Sequence, residues 1–200
     1  MLLATATRCR RERTHNWPRR AKSLRFITGL GLLISVLALF LAVSETLGKA
    51  AQTDALSFNV QASNLWSFFQ AKTIRQTALR TAGELANVIA ETPEQRQALA
   101  KQQTAWTGTI ARWESEPETQ EGRRELTSRA TDAEKKRDIA LAKYHHFELA
   151  SAAFQIAIVV VSASVITGVA LLAIGGSLIG GVGLIFTGIG ILAPNAIHIF

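Results

Sequence analysis

Two long stretches without charged residues constrain this chain more than any other feature. The first covers residues 26–44, nineteen almost wholly apolar residues, and the second covers residues 149–200, with no Asp, Glu, Lys or Arg among its 52 residues. A helix of the first length spans about 28 Å, close to the ~30 Å hydrocarbon core of a bilayer. The uncharged stretches therefore exclude an ordinary soluble protein and predict membrane-spanning helices.

The second stretch is too long for one span and has the right length for two. Gly175 and Gly176 interrupt it, so we predict spans over residues 149–174 and 177–193 and a short C-terminal end over 194–200. Backbone polar groups in lipid must pair internally, so each piece is expected to be helical. A re-entrant hairpin that does not cross the bilayer is the alternative.

The formal net charge of +7 belongs to the N-terminal tail. Residues 1–25 hold eight basic groups and one acidic group, residues 26–148 hold 14 of each, and the rest of the chain holds none. The basic residues of the tail are Arg8, Arg10, Arg11, Arg13, Arg19, Arg20, Lys22 and Arg25. No folded region therefore carries a basic face of the kind that binds nucleic acid, and we expect no nucleic-acid partner.

Basic residues that precede a first span orient a membrane protein, because the flank richer in Lys and Arg stays in the cytoplasm. We therefore predict a cytoplasmic tail over residues 1–25, a first span over 26–44 and an extracytoplasmic region over 45–148. In a bacterium this orientation corresponds to the inner membrane, with membrane lipids as partners of the tail. A cleaved secretory signal and a mitochondrial-type leader are the alternatives for the first stretch.

The region between the spans lacks the alternation and the β-branched clusters that are typical of strands. Thr92 followed by Pro93 is typical of an N-cap and a first helical position, and Pro117 marks a second break. The predicted helices cover about residues 50–91, 93–114 and 119–148. The last of these is expected to continue into the second span as one helix.

Residues of the third predicted helix follow an alternating 4,3 spacing from Leu126 to Phe154 and are apolar except at Arg137, Tyr144 and Ser151, and Phe58 to Phe69 of the first helix share this spacing. Such spacing is typical of a coiled-coil seam. The sequence therefore predicts an all-α fold, with three transmembrane helices and an extramembrane antiparallel helical hairpin that resembles a coiled coil. A hairpin of this size buries little surface by itself, so we expect self-association.

Small residues form a stripe along the last span at the same 4,3 spacing. They are Gly176, Gly180, Gly183, Thr187 and Gly190. A stripe almost without side chains lets another helix approach closely, so we interpret it as a helix-packing interface within the chain or between chains.

The residues that could carry chemistry are sparse. His145 and His146 point about 100° apart on a helix and cannot chelate one metal jointly, while Cys9 is the only cysteine. Four glutamates from Glu114 to Glu121 surround Pro117, which we interpret as a solvated tip. No catalytic triad, paired-carboxylate, phosphate-loop or zinc-ligand spacing is present. We therefore expect no enzyme activity, no cofactor and no metal.

Two motifs, NLWSFFQAKTIR at residues 64–75 and KYHHFELASAAFQIAI at residues 143–158, carry a resemblance. In both, the chain resembles an uncharacterised family of bacterial three-span membrane proteins, filed under a domain of unknown function. The resemblance covers about residues 26–190. It implies three membrane helices and an extramembrane helical domain, without an activity. Trp66, Gln70, Ala71 and Lys72 match the family motif W-x-x-x-Q-A-K, and we interpret Trp66, Gln70 and Lys72 as a candidate interaction surface, with core packing as the alternative.

These observations favour a non-enzymatic integral membrane protein that acts by self-association or by binding a protein partner. A membrane-tethered sensor that binds a small ligand among Trp66, Trp106 and Trp113 is the first alternative. An accessory subunit of a channel or transporter is the second.

Overall fold

The computed structural model describes the backbone of residues 17–194 and the side chains of residues 26–194. Four helices make up this part of the chain: α1 (Trp17–Ile89), α2 (Pro93–Glu114), α3 (Arg123–Thr167) and α4 (Ala170–Leu192). No strand occurs within residues 17–194, so the all-α prediction is confirmed there. The side chains of the basic tail, Cys9 and the last six residues lie outside the described residues.

Three of these helices are long and apolar enough to cross a membrane. Each contains an 18-residue window of high hydropathy with at most two charged residues, and the helices are α1, α3 and α4. They correspond to the three stretches that the sequence singles out as spans.

The first helix differs from the sequence interpretation, which separated a span at residues 26–44 from a helix at 50–91. In the structure both belong to α1, which continues without a break. Residues 45–49 contain no proline and a single glycine, so nothing there removes a helical hydrogen bond. Gly48 is buried, and a Cβ atom at this position would lie 3.4 Å from Cβ of Phe147.

The turn between the last two helices was predicted at Gly175 and Gly176, and this placement is wrong. The structure has the turn at Gly168, whose φ of +72° lies in the left-handed region that glycine adopts readily. The amide of Gly168 donates to the carbonyl of Ser164 at 2.9 Å, and the Ser164 hydroxyl donates to the carbonyl of Val169 at 2.9 Å. These bonds end α3, whereas Gly175 and Gly176 lie inside α4.

The chain divides into two compact units, and each has its own core. The first unit contains the described residues up to Ala51 and from Ala142 onward. Its core is apolar and comes from three helices: Leu30, Leu37, Ala150, Phe154, Ala157, Val161 and Ala173. The rings of Phe40 and Phe154 stack there with centroids 6.0 Å apart. α4, which has no charged residue, thus packs against α1 and α3 of the same chain.

The second unit is Gln52–Leu141, in which one face of α1 is covered. Its core joins α1 to α3 and consists of Ala62, Leu65, Leu126, Ala130 and Ala133. The contacts run in opposite directions along the two helices, because Lys136 lies over the Phe58 ring and Arg123 lies over the Phe69 ring.

The later part of α1 is covered by α2 instead. The side-chain amide of Gln103 donates to the carbonyl of Gly83 at 3.3 Å, and that of Gln76 donates to the carbonyl of Ile110 at 3.1 Å. None of the residues of α2 is fully buried. Consequently α2 and α3 follow one another along the same face of α1.

Candidate functional site

Polar side chains from three helices meet where α2 ends and α3 begins. We call this cluster the polar junction, and its residues are Lys72, Gln76, Glu114, Glu116, Glu121 and Arg123. Lys72 and Gln76 are both buried, at 4% and 2% exposure. Burying such groups is costly unless each finds a partner, so the contacts of the junction decide what it can do.

Lys72 lies inside the second unit rather than at its surface. Its ammonium donates to the backbone carbonyl of Glu121 and lies 3.9 Å from the carboxylates of both Glu116 and Glu121. The same ammonium lies 4.9 Å from the centre of the Phe68 ring, within the range of a cation–π contact. Lys72 therefore anchors the loop between α2 and α3 onto α1.

Gln76 connects all three helices of the second unit. Its side-chain oxygen accepts a hydrogen bond from Nη1 of Arg123 at 2.8 Å, and the same Nη1 atom donates to Glu114 at 3.0 Å. The Arg123 guanidinium also lies 4.9 Å from the centre of the Phe69 ring. Among the described residues, no partner is present for Nε of Arg123. Charges in the junction are thus largely engaged with one another.

Only part of the glutamate cluster around Pro117 forms the solvated tip that the sequence predicts, because Glu118 and Glu121 are exposed whereas Glu114 and Glu116 are partly buried. The carboxylate of Glu114 binds Arg123 at 3.0 Å and Arg124 at 3.6 Å, and Glu116 is only 24% exposed. Glu116 is partly buried because α2 packs along α1, which brings the residues after α2 next to the buried Lys72.

Glu125 holds the same loop from the first turn of α3. Its carboxylate accepts hydrogen bonds from the Ser115 hydroxyl at 2.7 Å and from the Glu116 amide at 3.1 Å. The bond from Ser115 is the main reason why the pKa of Glu125 lies below its ordinary value of 4.5. Gly122 is buried beside this carboxylate, and a Cβ atom there would collide with it and with the backbone of Ser115 and Glu116.

The family motif is divided between different faces of α1. The indole Nε1 of Trp66 donates to Glu134 of α3 at 2.8 Å, and its ring packs edge-on to Phe69 at 5.5 Å. Gln70 is exposed, whereas Lys72 is buried in the junction. Trp66, Gln70 and Lys72 therefore do not form one exposed patch in this structure, because Lys72 lies two residues after Gln70 and so points to nearly the opposite side of the helix.

The glycine stripe of α4 is buried against its own chain. All five residues are buried, and the hydroxyls of Thr187 and Ser44 form a hydrogen bond at 3.1 Å. A Cβ atom at Gly176 would lie 2.5 Å from Val161, and one at Gly183 would lie 2.9 Å from the Phe154 ring. The alternative that sequence left open, a partner within the chain, is the one present in this structure.

Close packing extends along the rest of the stripe. A Cβ atom at Gly180 would lie 2.6 Å from Leu37 of α1, and one at Gly190 would lie 3.1 Å from the Phe147 ring of α3. The glycines thus let α4 approach two other helices at distances that a larger side chain would prevent.

His146 is buried at the end of this stripe, at 1% exposure. Its Nε2 atom lies 3.1 Å from the carbonyl oxygen of Pro194, and its ring stacks on Phe186 at 6.3 Å. Within the described part of the chain, Nδ1 of His146 has no hydrogen-bond partner. Nδ1 of His145 instead lies 3.7 Å from the carboxylate of Glu148, so the two histidines have separate surroundings.

The described part of the chain contains neither a cluster of metal ligands nor a pocket shared by Trp66 and Trp106. No group of three or more His, Cys, Asp or Glu side chains within residues 26–194 could hold an ion. One shallow depression in the second unit is lined only by residues of α1 between Thr73 and Leu85. Trp66 lies beside Glu134 while Trp106 lies beside Gly83, and positions 66 and 83 are about 25 Å apart along α1. Trp66 and Trp106 therefore do not share a pocket.

Sequence reasoning missed Gln76 and Arg123. Gln76 continues the 4,3 pattern of α1 beyond Phe69, and that position indicates a buried side chain despite its polarity. Arg123 carries no such signal, because its role depends on where the α2–α3 loop folds.

The fold and its junction define an all-α protein with three helices that could cross a membrane and a second unit built on one long helix. The chain belongs to the family described as "Domain of unknown function (DUF4337)", whose model matches residues 26–193. No curated protein and no solved structure matches the chain.

Proposed function

We propose that the protein is a non-enzymatic integral membrane protein whose helical domain associates with another copy or with a protein partner. The observation that carries this proposal is that the polar side chains of the junction bind one another and the backbone around them. Lys72 donates to the carbonyl of Glu121, Gln76 donates to the carbonyl of Ile110, and Arg123 donates to Gln76. Groups committed in this way hold a scaffold together and are not free for general acid, general base or nucleophilic chemistry.

The membrane arrangement is part of the same proposal. Residues 1–25 lie in the cytoplasm, α1, α3 and α4 each cross the inner membrane of a bacterium, and residues 45–148 lie outside the cytoplasm. The basic tail supports this orientation through the positive-inside rule. The stripe on α4 holds the spans together, because its glycines already contact α1 and α3.

The helical domain takes the form of an antiparallel, coiled-coil-like hairpin in this proposal. The opposite direction of the contacts between α1 and α3 supports it, as do the buried residues at 4,3 spacing on α3. Such a domain presents helix faces rather than a pocket, which favours a macromolecular partner over a small ligand.

Crosslinking of the full chain in native membranes tests the proposal. An amine-reactive reagent is suitable because Lys101, Lys135 and Lys136 lie exposed in the second unit. We expect products with the mass of a dimer or of a complex with another protein. Only monomer at every reagent concentration, together with a monomeric mass in mild detergent, would contradict it.

A further inference from the structure

Within the second unit, α1 carries apolar residues on two opposite faces. One face is covered by α2 and α3 and includes Ala62, Leu65 and Gly83. Counting about 100° per residue, a second set of apolar residues lies on the other side of the helix. These residues are between 57% and 83% exposed: Leu56, Val60, Ile74, Leu85 and Val88.

Four uncharged polar residues and one alanine complete this face. They are all exposed and lie between the apolar ones: Ser63, Ser67, Gln70, Ala78 and Thr81. Together the ten residues recur at gaps of three and four from Leu56 to Val88, which keeps them within one side of the helix for about 48 Å. We call this face the outer stripe.

The outer stripe is also free of charge. None of its ten residues is Asp, Glu, Lys or Arg, and residues 55–71 contain no charged residue at all. A helix face that is merely solvated usually carries charges. The exposed face of α3 in the same unit has them, among them Arg129, Asp132 and Lys135.

We propose that the outer stripe is the surface on which a second copy of this chain docks, in parallel and in register. This inference rests on the proposed function and names its partner and surface. Two copies inserted in one membrane share an orientation, so their α1 helices run in the same direction about a two-fold axis. Each residue near that axis then meets its own copy.

Such self-pairing explains the composition of the stripe. A Lys or Glu near the axis would place two like charges side by side, whereas Leu56, Val60 or Ile74 meets an identical apolar side chain. Gln70 lies in the middle, where a polar side chain that pairs with its own copy fixes the register. A different protein would not bring each residue against an identical one, so charged residues could occur on a face that binds such a partner. Confinement to the membrane raises the local concentration, so one helix face suffices for association.

Disulfide trapping of the full chain in native membranes tests this surface. Single cysteines are placed by Val60→Cys, Ser67→Cys and Ile74→Cys in a Cys9→Ser background, and a mild oxidant is added. Cysteines near a two-fold axis approach within disulfide distance, so we expect roughly tenfold more dimer than from the controls. Gln61→Cys is the matched control on α1, next to Val60 but off the stripe, and Lys135→Cys is the control on α3.

Equal trapping at positions 60, 61 and 135 would overturn the proposal. So would an antiparallel pattern, in which cysteines at 56 and 88 on separate copies crosslink while neither crosslinks to itself. A disulfide to a different protein would also overturn it, since the occupant would not be a second copy.

The lysine crosslinking described above separates this inference from the proposed function. If lysine crosslinking gives oligomers but cysteines at positions 60, 67 and 74 give no disulfides, the protein associates through a surface other than the outer stripe. Absence of both products would remove both proposals. A Val60→Asp, Ile74→Asp double variant provides a second measurement, in which we expect the lysine-trapped dimer to fall about tenfold while the helical content of the monomer is unchanged.

Discussion

Arg123 of α3 donates a hydrogen bond to the side-chain oxygen of Gln76 on α1 at 2.8 Å, across 47 positions of sequence. The amide nitrogen of the same Gln76 donates to the carbonyl of Ile110 on α2. One buried side chain therefore fixes the positions of three helices. Because burial removes competing water, each of these bonds is costly to break.

Replacing Gln76 by leucine should destabilise the second unit. The change keeps the side chain at a similar size but removes the hydrogen bonds of Gln76 to Arg123 and to the Ile110 carbonyl at a position that is 2% exposed, which costs about 1–3 kcal/mol. Chemical unfolding of the full chain in detergent, followed by circular dichroism, measures this loss. Gln102→Leu is the matched control on an exposed position of α2. An equal effect of the two changes would contradict the role of Gln76.

The Glu125 contact predicts a dependence of stability on pH. The Ser115 hydroxyl stabilises the charged carboxylate, so the folded chain has a pKa below the ordinary 4.5. A lowered pKa contributes stability above pH 4.5, and this contribution is lost as the pH falls through the folded value. Glu125→Gln should therefore remove part of the acid destabilisation seen by unfolding measurements across this range.

The control for Glu125 is Glu84→Gln, a change of the same kind at an exposed position on α1. We expect Glu84→Gln to leave the pH profile of the wild-type chain largely in place. If Glu125→Gln and the wild type lose stability in parallel on acidification, the Ser115 contact does not control the charge of Glu125.

Adjacent glycines of α4 should respond differently to alanine. A Cβ atom at Gly176 would lie 2.5 Å from Val161 and 3.1 Å from the Ala157 carbonyl, whereas one at Gly175 meets nothing within 4 Å. Overpacking of this kind costs about 1–3 kcal/mol. Gly175→Ala should be neutral or stabilising by about 0.5–1 kcal/mol, because alanine favours the helix. Thermal unfolding of both variants in detergent measures the two changes in stability. A Gly175→Ala variant that is less stable than Gly176→Ala would contradict the packing of α4.

Gly168 should resist substitution for a different reason. Its Cβ position is open, but its φ of +72° is costly for an L residue. We expect Gly168→Ala to destabilise the chain by about 1–2 kcal/mol. Gly181→Ala, at an equally open position inside α4, is the control. Equal stability of the two variants, measured by thermal unfolding, would show that the turn does not require a left-handed residue.

Local signals in the sequence were sufficient where a helix end depends on its own residues. The pair Thr92 and Pro93 predicts the start of α2, and Thr92 is the N-cap in the structure, with Gln95 completing a capping box. The spacing on α3 likewise predicts burial of Leu126, Ala130 and Phe154, which are fully buried.

Features that depend on contacts between distant residues could not be read in this way. The glycine pair 175–176 resembles a break by composition, yet the turn forms at Gly168 because Ser164 and a left-handed backbone end α3 there. Lys72 resembles a surface residue until the loop after α2 folds back and supplies the carbonyl of Glu121. The type of a residue and its neighbours in sequence therefore do not predict burial that depends on contacts with distant segments.

Labelling of single cysteines from each side of the membrane tests the proposed arrangement most directly. In a Cys9→Ser background, Ala100→Cys lies on an exposed position of α2 and Thr167→Cys lies at the turn between α3 and α4. With an impermeant maleimide, we predict labelling of position 100 only in right-side-out vesicles and of position 167 only in inverted ones. Labelling of position 100 from the cytoplasmic side would contradict the proposed orientation, and labelling of both positions from one side would contradict the crossing of α3.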